Sequence, residues 1–95
     1  MKVLKVKKVE DCLEATNVRD IILSRQMDKR FIFYLGQLGK LVYNDNFDKP
    51  FFSIIVRGKY TLKGAETNKI IRVMLPEEAG DEMIPGIKNF IETYK

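Results

Sequence analysis

An alternation of apolar and polar side chains over residues 51–63 (FFSIIVRGKYTLK) constrains the fold of this chain more than any other feature. The even positions are apolar or aromatic apart from Gly58, whereas the odd positions change from apolar to basic along the segment. Successive side chains of a strand point to opposite faces of a sheet. The pattern therefore predicts one long strand whose even positions face the core and whose odd positions face solvent or a partner.

A hairpin with a two-residue turn at Arg57 and Gly58 is the alternative for this segment. That turn would pair Val56 with Lys59 and would oppose the preceding apolar residues to polar ones in the same way. Because directly opposed residues share a face, the hairpin would place polar groups on the core side. We therefore expect a continuous strand in which Gly58 forms a bulge or bend.

Length and composition are those of one small domain, residues 1–95. The hydrophobic fraction is 45%, with six phenylalanines and four tyrosines, which is sufficient for a core. Cys12 is the only cysteine, so the chain cannot form an internal disulfide, as is common in a reducing compartment. The first ten residues do not resemble a signal peptide and no apolar run is long enough to cross a bilayer. We expect a cytoplasmic protein without a membrane partner.

Hydrophobic periodicity and turn residues predict the remaining elements. Asn17 with an acidic residue three positions later resembles a helix N-cap, and Pro85 is compatible with the first turn of a helix that begins near Asp81. Large apolar residues on both sides of the segment 30–35 indicate a strand that is covered on both faces. The predicted elements are a strand at residues 2–9, a helix at 11–28 interrupted near Asn17, strands at 30–35, 40–43, 51–63 and 69–75, and a C-terminal helix.

This order, β-α-β-β-β-β-α, predicts an α+β fold. We expect a mostly antiparallel, bent sheet of four to five strands, with the C-terminal helix packed on it. A strongly curled, partly closed barrel that bends at Gly58 is the alternative architecture.

Basic residues concentrate in the two strands predicted last. The chain carries a net charge of +4, and cations spaced along an extended backbone can contact successive phosphates. Aromatic side chains at Tyr34, Tyr43 and Phe51 could add surfaces on which bases stack. A solvated face that keeps a small protein soluble is the simpler explanation. The candidate nucleic-acid-binding residues are Arg57, Lys59, Lys63, Lys69 and Arg72.

Two oxygen-rich segments are candidates for a hard cation, Ca²⁺ or Mg²⁺. Asn44, Asn46 and Asp48 alternate like the first ligands of a calcium loop, but the required glycine and the terminal glutamate are missing. Acidic residues before the last helix could hold a cation, although such residues stabilise a helix N-terminus without any metal. These candidate metal ligands are Glu77, Glu78, Asp81 and Glu82.

Catalytic chemistry is restricted by the absence of histidine, which excludes a histidine base and histidine metal ligands. Cys12 has no histidine to activate it, so a buried structural role is the simpler interpretation. No catalytic residue and no cofactor is predicted. An enzyme would require Asp20, Asp45 or Glu66 in a pocket beside a desolvated lysine.

Three functions remain open. The first is a non-catalytic interaction or assembly module that forms a homodimer through sheet edges or through the surface of residues 31–35. The second is binding of RNA or another single-stranded nucleic acid, or of an acidic protein, by the basic strands. The third is weak binding of a divalent cation.

Overall fold

The computed structural model, in which residues 1–9, 17–46 and 48–94 are described, has a six-stranded antiparallel sheet and two α-helices. The elements are β1 (Val3–Val9), β2 (Val18–Leu23), α1 (Lys29–Leu35), a 3-10 turn (Gly36–Leu38), β3 (Lys40–Asn44), β4 (Phe51–Val56), β5 (Tyr60–Ala65), β6 (Ile70–Met74) and α2 (Ile84–Thr93). The strands lie side by side in the order β1-β2-β6-β5-β4-β3. The predicted α+β class and the C-terminal helix on the sheet are confirmed, whereas the number of strands is six, not four to five.

The predicted single strand at residues 51–63 is wrong, because the chain reverses in a loop at residues 57–59 between β4 and β5. Gly58 has φ = 76°, which a glycine adopts at no steric cost. This loop has three residues, whereas the hairpin rejected from the sequence had a two-residue turn at Arg57 and Gly58. As a result Ile54 pairs with Leu62 and both are buried. The expected division into a core face and an outer face is therefore kept in the hairpin.

The segment 30–35 forms part of α1 and not the predicted strand. The Asp28 side chain caps this helix by accepting a hydrogen bond from the Phe31 amide at 2.8 Å. Phe31, Ile32 and Leu35 then lie on one side of the helix and are buried. Phe33 lies on another side and is 47% exposed. Apolar residues on both sides of a short segment are compatible with two structures: a helix that packs on a core, or a strand that is covered on both faces.

The predicted helix at residues 11–28 is contradicted by β2, which occupies Val18–Leu23. Residues 10–16 lie outside the described part of the chain. β2 pairs with β1 on one side and with β6 on the other. The spacing of the apolar residues 18, 21 and 22 is compatible with a helix and does not distinguish it from a strand. The conformation is decided by pairing of this segment with two strands that are distant in the sequence.

Both described helices pack on one face of the sheet. The interior contains side chains from the core face of the strands and from α1 and α2, which leaves the other sheet face without a helix among the described residues. The fully buried residues include Ile21, Leu23, Phe31, Ile32, Phe52, Ile54, Leu62, Ile71, Ile87 and Ile91.

Replacing Asp28 by alanine is expected to lower the free energy of unfolding by about 1 kcal/mol, because the cap of α1 is lost. Urea unfolding followed by circular dichroism measures the change. Asp48→Ala is the matched control, since Asp48 is exposed in a loop. Equal stabilities of the two variants would contradict the capping role.

Candidate binding surface on the open face of the sheet

One row of directly opposed residues crosses all six strands on the face that the helices leave uncovered. Four of the large apolar residues that are exposed lie on the same face: Val42 (48%), Phe51 (44%), Ile55 (45%) and Ile70 (38%). We call this surface the open face. Its central row is Lys7, Asp20, Arg72, Lys63, Ser53 and Val42, in spatial order.

The open face is positively charged. Opposed residues share a face, so the strand registers also place Lys5 and Lys40 on it, opposite Ile22 and Ile55. The described strands thus contribute five positive side chains and one negative side chain to this face, a net charge of +4. The result is a basic surface with apolar side chains between its charges.

Arg72 and Asp20 form a two-point ion pair at the centre of the row. Arg72 Nε donates to Asp20 Oδ1 at 3.0 Å and Arg72 Nη2 donates to Asp20 Oδ2 at 3.3 Å. The Arg72 side chain is 40% exposed and that of Asp20 is 17% exposed. Two parallel hydrogen bonds fix the plane of the guanidinium group, so Arg72 presents an oriented surface toward solvent.

The five predicted nucleic-acid-binding residues lie in β5, in β6 and in the loops at the two ends of β5, and they do not form one cluster. Lys63 and Arg72 are directly opposed on the open face. Arg57 and Lys59 belong to the loop between β4 and β5. Lys69 lies at the other end of β5, directly before β6. The six residues of β5 separate these ends by about 20 Å.

The structure adds cations that the sequence argument did not assign to this surface, namely Lys5, Lys7 and Lys40. The alternation in the first strand already placed Lys5 and Lys7 on one side of it. No local signal shows that β1 lies next to β2, and β2 next to β6. The surface can therefore be recognised only once the strand order is known.

Of the three aromatic residues considered for base stacking, Phe51 lies on the open face. Tyr34 lies at the helices, where its hydroxyl donates to Phe90 O at 2.7 Å. Tyr43 is opposite Phe52, on the core side of the sheet, and its hydroxyl donates to Glu66 Oε2 at 3.2 Å. Burial, reinforced by the Glu66 carboxylate, raises the pKa of Tyr43, so this hydroxyl remains a donor at neutral pH.

The acidic segment before α2 is attached to β2 by a polar network. Arg19, which is 8% exposed, donates from Nε to Asp81 Oδ1 at 2.8 Å and from Nη1 to Asn17 Oδ1 at 2.8 Å. Asn17 Nδ2 donates to Pro76 O at 2.7 Å and to Ala79 O at 2.6 Å. Asp81 is thus the counter-ion of a buried arginine.

The remaining metal candidates, Glu77, Glu78 and Glu82, are exposed. Within the described ranges, no group of three or more acidic, histidine or cysteine side chains is arranged to hold a metal ion. In the other oxygen-rich segment, Asn44 Oδ1 accepts from the Asn46 amide at 3.1 Å. That contact is a side-chain turn of the Asx type.

The carboxylates considered for catalysis have other contacts or are exposed. Asp20 is held by Arg72, Glu66 accepts from Tyr43, and Asp45 is exposed. Lys49 and Lys69, which line the same cavity as Glu66, are exposed and therefore not desolvated.

Neither described helix is long and apolar enough to cross a membrane. The segment 31–35, one of the surfaces considered for self-association, contributes Phe31, Ile32 and Leu35 to the core. Comparison of the chain with models of protein families, with curated proteins and with solved structures finds no match in any of the three.

Proposed function

We propose that this protein is a non-catalytic binding module whose open face binds an extended single strand of nucleic acid. The observation that carries the proposal is the net charge of +4 on a sheet face that also exposes Phe51, Ile55 and Ile70. Cations neutralise phosphates and release counterions, and the ring of Phe51 provides a surface on which an unpaired base can stack.

The charge of the open face favours a polyanion over a second copy of the chain. Two such faces in contact would bring like charges together, which opposes association. The edge strand β1 contains the lysines at positions 5, 7 and 8, and charged edge residues disfavour edge-to-edge pairing. Self-association through the open face is the second candidate, because four large apolar side chains are exposed there.

The width of the sheet favours a single strand over a duplex. Six strands at a spacing of about 4.8 Å extend across about 24 Å. The major groove of DNA is about 12 Å wide and admits a helix or a two-stranded ribbon. A surface of this width cannot enter the undeformed major groove, so unpaired bases are the ones that it can contact without distorting a duplex.

Fluorescence anisotropy with labelled RNA and DNA oligonucleotides, single-stranded and duplex, tests the proposal over a range of salt concentrations. We expect single strands to bind more tightly than the duplex of the same sequence, with an affinity that falls as salt increases. The double variant Lys7→Glu with Lys63→Glu is expected to lose about tenfold or more in affinity at low salt.

The matched control is Arg30→Glu with Lys88→Glu, which changes the net charge equally on exposed residues of the two helices. This control is expected to bind nearly as well as the original protein. No binding at low salt, or the same loss in both double variants, would overturn the proposal. A dimeric mass in light scattering that becomes monomeric with Ile55→Glu would support self-association instead.

A further inference from the structure

A cleft opens on the open face where β5 and β6 separate. The ladder between these strands runs from the pair of Thr61 and Met74 to the pair of Lys63 and Arg72. Beyond that point β5 stays paired with β4 up to Ala65, and β6 stays paired with β2 up to Ile70. Each strand is thus held by its outer neighbour, and beyond the ladder the two strands are joined at their turn, where the Asn68 amide donates to Ala65 O at 3.1 Å.

Core side chains close the cleft from the helix side. A Cβ atom at Gly64 would lie 2.8 Å from the Phe52 ring and 3.2 Å from Met27 Cε. Both Phe52 and Met27 are 1% exposed. The cleft therefore opens toward the open face and not into the core.

Backbone hydrogen bonds with Met27 hold the turn between β5 and β6, which borders the cleft. The Met27 amide donates to Asn68 O at 2.9 Å, and Met27 O accepts from the Thr67 amide at 2.8 Å. Thr67 has φ = 71°, an unfavourable conformation for a β-branched residue. Strain of this kind is retained where surrounding contacts enforce it, and it is frequent at binding sites.

The cleft consists of two adjoining open cavities of about 370 Å³ and about 520 Å³. Both are lined by Ala65, Asn68 and Ile70. The smaller cavity also contacts Asp20, and the larger one contacts Glu66. Cavities of this volume accommodate small planar groups.

The lining combines charged and apolar groups, as the parts of a nucleotide require. Asp20 in the smaller cavity is accompanied by Lys63 and Arg72, and Glu66 in the larger cavity is accompanied by Lys49 and Lys69. Ala65 and Ile70 offer apolar contact to a ring. Asn68 Oδ1 accepts from the Lys69 and Ile70 amides at 2.7 Å and 3.3 Å, so the Nδ2 group of Asn68 is the part of this side chain that can donate to a base edge.

We propose that the cleft receives one base of the bound strand and gives the protein a base preference at that position. This inference rests on the proposed binding of single strands to the open face. The phosphates on either side of the inserted base would then lie near the positive row that contains Lys63 and Arg72.

Affinities for single-stranded homopolymers of A, C and U test the inference. The original protein is expected to prefer one homopolymer over the weakest by about tenfold, since hydrogen bonding to a base edge discriminates between bases by an amount of that size. Ala65→Phe, which fills the cleft, is expected to remove this preference and to retain salt-dependent binding. Thr61→Phe is the matched control on the same face of β5, and it should keep the preference.

Equal affinity for all three homopolymers, or a preference that survives in a folded Ala65→Phe variant, would overturn the inference and leave the proposed function intact. Absence of binding to every homopolymer would overturn both. If Ala65→Phe does not fold, NMR titration of the original protein with the nucleoside monophosphate of the preferred base replaces it. Shifts centred on Ala65, Asn68 and Ile70 would support the inference, and shifts confined to other residues would overturn it.

Discussion

Replacing Phe31 by alanine is expected to lower the free energy of unfolding by about 3–5 kcal/mol. The Phe31 side chain is 1% exposed, and its ring contacts Tyr94 edge-on with centroids 5.0 Å apart. It thereby joins α1 to the residue that follows α2. A helix of seven residues is not stable alone, so α1 depends on this packing. A loss of this size is a large part of the total stability of a small domain.

Phe33→Ala is the matched control for Phe31→Ala. Phe33 is 47% exposed and contacts Tyr43 edge-on at 5.2 Å. Its removal is expected to lower the free energy of unfolding by about 1 kcal/mol or less. In a strand the two residues would share a face, and their losses would be similar. Urea unfolding of both variants therefore distinguishes the helix from a strand, and equal losses would contradict the helix.

Replacing Asn17 by alanine is expected to lower the free energy of unfolding by about 3 kcal/mol. The Asn17 side chain accepts one hydrogen bond from the buried Arg19 and donates two to the carbonyls of Pro76 and Ala79. Alanine would leave a buried guanidinium with one acceptor fewer, and both carbonyls without this donor. The connection between β6 and α2 would lose the two side-chain hydrogen bonds that hold it at Pro76 and Ala79.

Glu78→Ala is the control for Asn17→Ala, because Glu78 is exposed in the same connection between β6 and α2. Substitutions of exposed residues usually change the stability by about 0.5 kcal/mol or less, so this variant should remain close to the original stability. Thermal and urea unfolding of the two variants give the comparison. Equal stabilities of the two variants would contradict the anchoring role of Asn17.

The alternation over residues 51–63 predicted the faces of β4 and β5 correctly but not the reversal between them. Phe52, Ile54 and Leu62 are buried as expected. A two-residue turn would have broken the pattern, whereas a three-residue loop preserves it. The alternation therefore does not reveal whether one strand or two are present, since both satisfy the same two-residue period.

Short apolar segments were ambiguous for the same kind of reason. The segment at 30–35 carries apolar side chains at positions that suit a helix or a strand, and the structure shows a helix that Asp28 caps. The strand conformation of β2 depends on residues that are distant in the sequence, because its backbone pairs with β1 on one side and with β6 on the other.

The amino-acid sequence by itself determined the α+β class and the apolar side of the hairpin strands. These properties depend on local periodicity, which neighbouring residues carry. The tertiary structure alone decided which cations share a surface. Asp20 and Arg72 are 52 residues apart in the chain and meet only because β2 lies beside β6. Hydrogen bonding between distant strands creates such neighbours, and no short stretch of sequence encodes it.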